Sequence, residues 1–174
     1  MWRTPAVLVV KVADSPLVQG TGGSAPSFWL FNPNGIAVTA GAQFDVPAGL
    51  HLSTSAQLRL SDGSSWDLRQ APPGTLSVAA PESFGLLGRP AALTWHGASL
   101  QLPAGGALEL VGGDIGLQSS TLVVAGAAAK LHAAGTLSLS DGAGVIANAL
   151  AGQAGPALTL QAAALTIDGS NTGL

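Results

Sequence analysis

Apolar and polar residues alternate along this chain with a period of two rather than 3.6. Apolar–x–apolar triplets recur at Leu50-His51-Leu52, Leu58-Arg59-Leu60, Leu100-Gln101-Leu102, Leu108-Glu109-Leu110 and Ile115-Gly116-Leu117. They continue at Leu122-Val123-Val124, Leu137-Ser138-Leu139, Leu158-Thr159-Leu160 and Leu165-Thr166-Ile167. Each predicts a short strand with one buried face, bounded by Gly, Asp, Ser or Pro. Helix is disfavoured nearly everywhere, because the alternation and the frequent Gly override the helix propensity of Ala. Ala162-Ala163-Ala164 is too short for a helix and links two strands.

The spacing of the triplets carries more information than their existence. The intervals Leu100 to Leu122, Ile115 to Leu137 and Leu137 to Leu158 are nearly equal, about 22 residues each. A fixed return with several short strands per period predicts a solenoid: strands this short bury a face only when successive coils stack in parallel. The expected fold is therefore all-β, a single-stranded parallel β-helix of about 22 residues per coil in one domain spanning 1–174. A β-sandwich is the rival, but it calls for longer strands joined by two-residue turns and no fixed return. Between about 64 and 89 the rhythm breaks. There Ser64-Ser65-Trp66-Asp67, Pro72-Pro73-Gly74, Thr75-Leu76-Ser77-Val78 and Pro81-Glu82-Ser83-Phe84 predict an excursion, a loop or hairpin folded against the side of the solenoid.

Composition narrows the function. Six Lys or Arg and nine Asp or Glu make 9% of 174 residues, against the ~25% of ordinary soluble domains. A net charge of −3 leaves no basic stripe for nucleic acid. Cys and Tyr are both absent, which removes disulfides, thiolate chemistry, Cys-ligated metals and a common acid–base side chain. The longest uncharged stretch, Ser15 to Phe44, is punctuated by Pro, Gly and Asn and does not read as a membrane span. The apolar run Ala6–Val10 is too short for a signal-peptide core.

Motifs for chemistry are sparse. His51, His96 and His132 have no second His or carboxylate at ligand spacing; His51 and His132 read as solvated outward positions and His96 as a strand end. Gly20-Thr21-Gly22-Gly23 lacks a following helix and reads as a turn, not a phosphate loop. Asp62 and Asp141 in Ser-Asp-Gly, and Asp168 in Asp-Gly-Ser, read as turn residues whose side chains bond their own backbone while Gly takes φ > 0. No catalytic, cofactor-binding or metal-binding set is expected.

One stretch is more specific. Ser27-Phe28-Trp29-Leu30-Phe31 is an apolar strand, Asn32-Pro33-Asn34-Gly35 fits a type I turn, and Ile36 opens another strand. Pro33 presets φ at the second turn position, and Asn suits the bridge or left-handed conformation a following corner can demand. With Phe84-Gly85-Leu86-Leu87-Gly88, Ala98-Ser99-Leu100-Gln101-Leu102-Pro103 and Leu108-Glu109-Leu110-Val111-Gly112-Gly113-Asp114-Ile115 downstream, it resembles the two-partner secretion domain of filamentous-haemagglutinin-like exoproteins, the haemagglutination activity domain. The resemblance covers roughly 27–135, with 136–174 reading as further coils.

That resemblance implies a right-handed β-helix, pectin lyase-like in architecture. It implies a non-enzymatic exoprotein recognised by an outer-membrane transporter, secreted or held at the surface of a Gram-negative-type bacterium as an adhesin-like module. Asn32, Pro33, Asn34 and Gly35 would be the secretion-motif turn. The family carries a leader and further strands before that turn, so the short segment ahead of Asn32 implies an N-terminally truncated member. Expected partners are the transporter, a host or cell-surface glycan or protein, and other copies through open solenoid ends. No nucleic acid, cofactor or metal is expected. Two other classes compete. A polysaccharide-active β-helix enzyme needs clustered carboxylates with Arg or Lys, and a purely structural or ice-binding solenoid needs a regular Thr array; neither pattern is present.

Overall fold

The computed structural model describes residues 10–11, 26–70, 79, 81–85, 88, 90–152 and 155–174. The predicted turn at Gly20–Gly23 and the segment Thr75–Val78 lie outside them. Among the described residues there are eighteen strands, numbered here in chain order, and no helix. The protein is all-β, built mostly of parallel strands in several sheets, an arrangement compatible with a β-helix-like fold.

The first sheet stacks β2 (Phe28–Phe31), β5 (Leu50–Ser53), β11 (Leu108–Gly112), β14 (Ala129–Ala133) and β17 (Leu158–Gln161), all parallel. The second stacks β3 (Ile36–Val38), β9 (Leu93–His96), β12 (Ile115–Gln118), β15 (Thr136–Ser140) and β18 (Ala164–Asp168), again parallel. A third joins β10 (Leu100–Gln101), β13 (Thr121–Ala125) and β16 (Gly144–Asn148). A two-stranded piece pairs β1 (Val10–Lys11) with β4 (Phe44–Asp45). The fixed return is visible in the register: Leu93 pairs with Ile115, Ile115 with Leu137, and Leu100 with Leu122.

The period of two sets what is buried. In the second sheet Leu93, Ile115 and Leu137 form one inward row and Trp95, Leu117 and Leu139 the next, all essentially inaccessible. Between them Thr94 and His96 face outward. The first sheet adds Leu50, Leu52, Leu108, Leu110 and Leu131 to the same core. Each such side chain contributes roughly 1.5–3 kcal/mol through burial. Trp95 fills the largest volume; its indole N–H donates to the Ala98 carbonyl at 2.9 Å, and Phe44 tilts against it at 5.4 Å. On the edge strand β18 the same rows end in Leu165 and Ile167, which are 50% and 45% exposed.

The excursion begins earlier than the alternation suggests. Leu58-Arg59-Leu60 lies in β6 (Gln57–Leu60), which pairs antiparallel with β7 (Ser65–Asp67) and β8 (Pro81–Gly85) and joins no parallel ladder. Alternation reports that one face is buried, not which sheet a strand enters, so the antiparallel sheet reaches back beyond 64 to Gln57. Asp62-Gly63 closes the first hairpin: Gly63 has φ +83°, and the Asp62 carboxylate accepts from the backbone N–H and hydroxyl of Ser64.

Candidate functional site: the Asn32–Gly35 corner

The turn joins β2 to β3, and so carries the chain from the first sheet to the second. Its closing bond is Gly35 N–H to the Asn32 carbonyl, 3.0 Å. The Asn32 side chain adds a second closure, its Oδ1 accepting the Asn34 N–H at 3.1 Å. The corner is tied to neighbouring strands by Asn32 N–H to Ser53 carbonyl (2.9 Å) and Ile36 N–H to Ala92 carbonyl (3.2 Å). Asn32 and Asn34 are exposed, while Pro33 and Gly35 are half-buried. The positive φ falls on Gly35 (+116°), not on Asn34. A Cβ at Gly35 would also lie 3.3 Å from the Ala92 carbonyl oxygen, so conformation and space both demand glycine.

The segment Val111-Gly112-Gly113-Asp114 sits at the same junction of sheets, between β11 and β12. A Cβ at Gly113 would run into the Pro90 carbonyl oxygen, and the Gly113 N–H donates to the Ala91 carbonyl at 2.9 Å. Asp114 Oδ1 accepts the Thr136 N–H at 2.8 Å, locking the corner of the next coil. Residues 90–92 therefore touch both motifs: Ala92 binds Ile36, and Ala91 binds Gly113. Thr54 completes the junction by donating its hydroxyl to the Ala91 carbonyl at 2.6 Å, which ties the departure of the excursion to its return. Two stretches far apart in sequence, on either side of the excursion, thus share one corner.

The sequence pattern predicts a solvated His51, and the structure corrects this. Its side chain is 14% exposed, its ring stacks on Trp29 (centroids 3.8 Å, interplanar 5°), and Nδ1 lies 2.9 Å from Glu109 Oε2. Trp29, His51 and Glu109 are in register across β2, β5 and β11 on the outward face of the first sheet. Phe84 of β8 tilts against Trp29 at 5.3 Å, so the cluster also anchors the excursion. The step from Trp29 to His51 equals the coil period and is a usable signal; the longer step to Glu109 is hidden by the excursion. Ser27 Oγ accepts the Gly49 N–H at 3.2 Å and has no hydrogen bond to His51, so no nucleophile–base pair is assembled there.

The other candidates stay apart. His96 is exposed at the end of β9, and His132 is half-buried on β14 rather than fully solvated. Asp141 accepts from Gln118 Nε2 at 2.6 Å instead of bonding its own turn, and takes φ +53° itself. Among the described residues, no three His, Asp or Glu side chains converge as a metal-holding group. An open cleft of about 440 Å³ lies between Phe44–Pro47 and Gln101–Pro103, with Asp45 its single ionisable lining residue. On the excursion, hydrogen bonding from the Arg69 side chain and backbone holds the half-buried Asp67 carboxyl below its usual range. No helix among the described residues is long and apolar enough to cross a membrane. Comparison with protein-family models, with curated proteins and with solved structures gives no match.

Proposed function

We propose that this chain is a right-handed parallel β-helical domain of a two-partner secretion exoprotein, recognised by an outer-membrane transporter and serving as a non-enzymatic, adhesin-like module at or beyond the cell surface. The single observation that carries the reading is the Asn32-Pro33-Asn34-Gly35 corner. Two exposed amides are presented there on a turn closed by both backbone and side chain. An amide donates and accepts, so a rigid pair of them suits recognition of another backbone. The sharing of one corner with Gly113 and Asp114 supports treating the two resembling stretches as one unit. Parallel pairing of Leu100 with Leu122 and of Ile115 with Leu137 supports the β-helix, and the strong right-handed preference of parallel crossovers supports its hand.

A polysaccharide-active enzyme is the weaker reading, since a glycosidic cleft needs two carboxylates flanking the bond and Asp45 is the single carboxylate lining this one. Self-association fits the same reading at β18, which pairs only with β15 among the described residues and leaves Leu165 and Ile167 half exposed.

The test is Asn34→Ala in cells that carry the partner transporter. Secretion is expected to fall far more than the domain's unfolding midpoint, whose loss should be about 1 kcal/mol or less because Asn34 lends the turn only its backbone N–H. Unchanged secretion with an intact fold removes the turn from recognition.

A further inference from the structure

We propose that Asn34 is a site of spontaneous deamidation, so that the exposed corner ages chemically into an aspartate or isoaspartate turn. The Asn34 side chain is exposed and has no hydrogen-bond partner among the described residues; only its backbone N–H is engaged. The next residue, Gly35, has no Cβ to hinder attack by its backbone nitrogen. The corner cannot escape this pairing by replacing Gly35, because φ of +116° and the nearby Ala92 carbonyl both require glycine.

The chain contains its own controls. Its four asparagines are Asn32, Asn34, Asn148 and Asn171. Asn32 precedes Pro33, which has no N–H to lose and cannot form the imide. Asn148 precedes Ala149, and Asn171 precedes the β-branched Thr172, so both present a hindered nucleophile. Asn34 alone combines exposure, an unheld amide and a following glycine.

The reaction balances with water as the one co-reactant. The Gly35 nitrogen bonds to the Asn34 side-chain amide carbon, ammonia leaves carrying the proton lost from Gly35, and a five-membered imide results. Water then cleaves the imide at either carbonyl, giving aspartate or isoaspartate. The Gly35 N–H starts in the turn bond to the Asn32 carbonyl, so attack follows opening of that bond and the rate reports turn opening. Aspartate replaces a donor with a negative charge. Isoaspartate adds a methylene to the main chain between positions 34 and 35, displacing the closures onto Asn32 and Ala92.

The chemistry stands whether or not a transporter reads the turn. The experiment incubates the purified folded chain at mildly alkaline and mildly acidic pH, then maps each asparagine by tandem mass spectrometry and isoaspartyl methylation. The expected result is a gain of about 1 Da at position 34, several-fold faster at alkaline pH, with Asn32, Asn148 and Asn171 unchanged. Asn34→Gln, which keeps an exposed amide but disfavours the imide ring, should lose the signal with an unchanged circular dichroism spectrum. If Asn34 stays intact in the folded chain while the urea-unfolded chain deamidates, the turn bond protects it and the proposal is overturned. Equal conversion at Asn148 or Asn171 overturns it as well.

Discussion

His51 and Glu109 are 58 residues apart in sequence, yet their side chains meet at 2.9 Å on the outward face of the first sheet. The interval contains the whole excursion, so this contact closes the parallel ladder across the point where the chain leaves and returns. Trp29 stacks on a face of the imidazole and touches Phe84 of the excursion. Replacing Glu109 by Ala should cost about 1 kcal/mol, the net worth of a partly exposed hydrogen bond. A double-mutant cycle of His51→Ala and Glu109→Ala should return a coupling of roughly the same size. Additive single-mutant losses in urea unfolding would mean that the contact carries no energy of its own.

Gly113 and Gly41 separate two reasons for glycine. Gly113 has no positive φ, but its missing Cβ makes room for the Pro90 carbonyl. Gly41 has φ +87° with open space around it. Gly113→Ala forces the 90–92 segment away and should cost about 2–3 kcal/mol, as overpacked sites do. Gly41→Ala should cost about 1 kcal/mol, the left-handed penalty alone. Chemical denaturation of the two variants orders them; an equal loss would show that the Pro90 backbone yields freely.

Most of the strands are legible because period-two alternation and a fixed return are properties of the residues themselves: Leu100, Leu122, Ile115 and Leu137 find their partners by counting. β14 and β16 escape that pattern because Ala129 and Gly144 blunt the apolar signal at their starts. Leu58 is legible as buried but not as antiparallel, since a side-chain pattern carries no strand direction. The Asn32–Gly35 turn is readable as a turn from local residue types. Its contact with Ala92 is not, because nothing local fixes where a chain returns after a long insertion. The same gap hides Glu109 from His51.

Asp67 offers a pH test on the excursion. Its carboxylate accepts from Arg69 Nε at 3.1 Å and from the Arg69 backbone N–H at 3.0 Å, and its pKa is lowered. A carboxyl with a depressed folded-state pKa stabilises above the unfolded value of ~3.9, and that contribution is lost as pH falls through the lower folded value. The pair lies at the surface, with Arg69 exposed and Asp67 half-buried, so the effect on global stability should be small. The expected readout is local: by NMR titration, Arg69→Ala moves the Asp67 midpoint upward. An unmoved midpoint would show that the arginine does not hold it.

The corner that ends the second sheet's strands gives the last prediction. Gly97, Ser119, Asp141 and Gly169 each follow the final residue of β9, β12, β15 and β18, and all four have positive φ, +66°, +48°, +53° and +97°. The backbone therefore asks for the same left-handed residue in every one of these coils, and two coils answer with glycine. Serine in that conformation carries a strain of roughly 1–2 kcal/mol. Removing it with glycine returns part of this, while the more flexible unfolded chain takes back about 0.4–1 kcal/mol. Ser119 is exposed, and its backbone N–H bond to the Ser140 carbonyl at 3.1 Å does not depend on its side chain. Ser119→Gly should thus stabilise by about 0.5 kcal/mol. Asp141→Gly relieves similar strain but gives up the bond from Gln118 Nε2, so its net effect should be close to zero. The reverse change, Gly97→Ser, should destabilise by more than the strain alone, because a Cβ there meets Ala40 Cβ at 3.3 Å. Urea midpoints of the three variants settle the order. A destabilised Ser119→Gly would mean that backbone strain is not what distinguishes this corner.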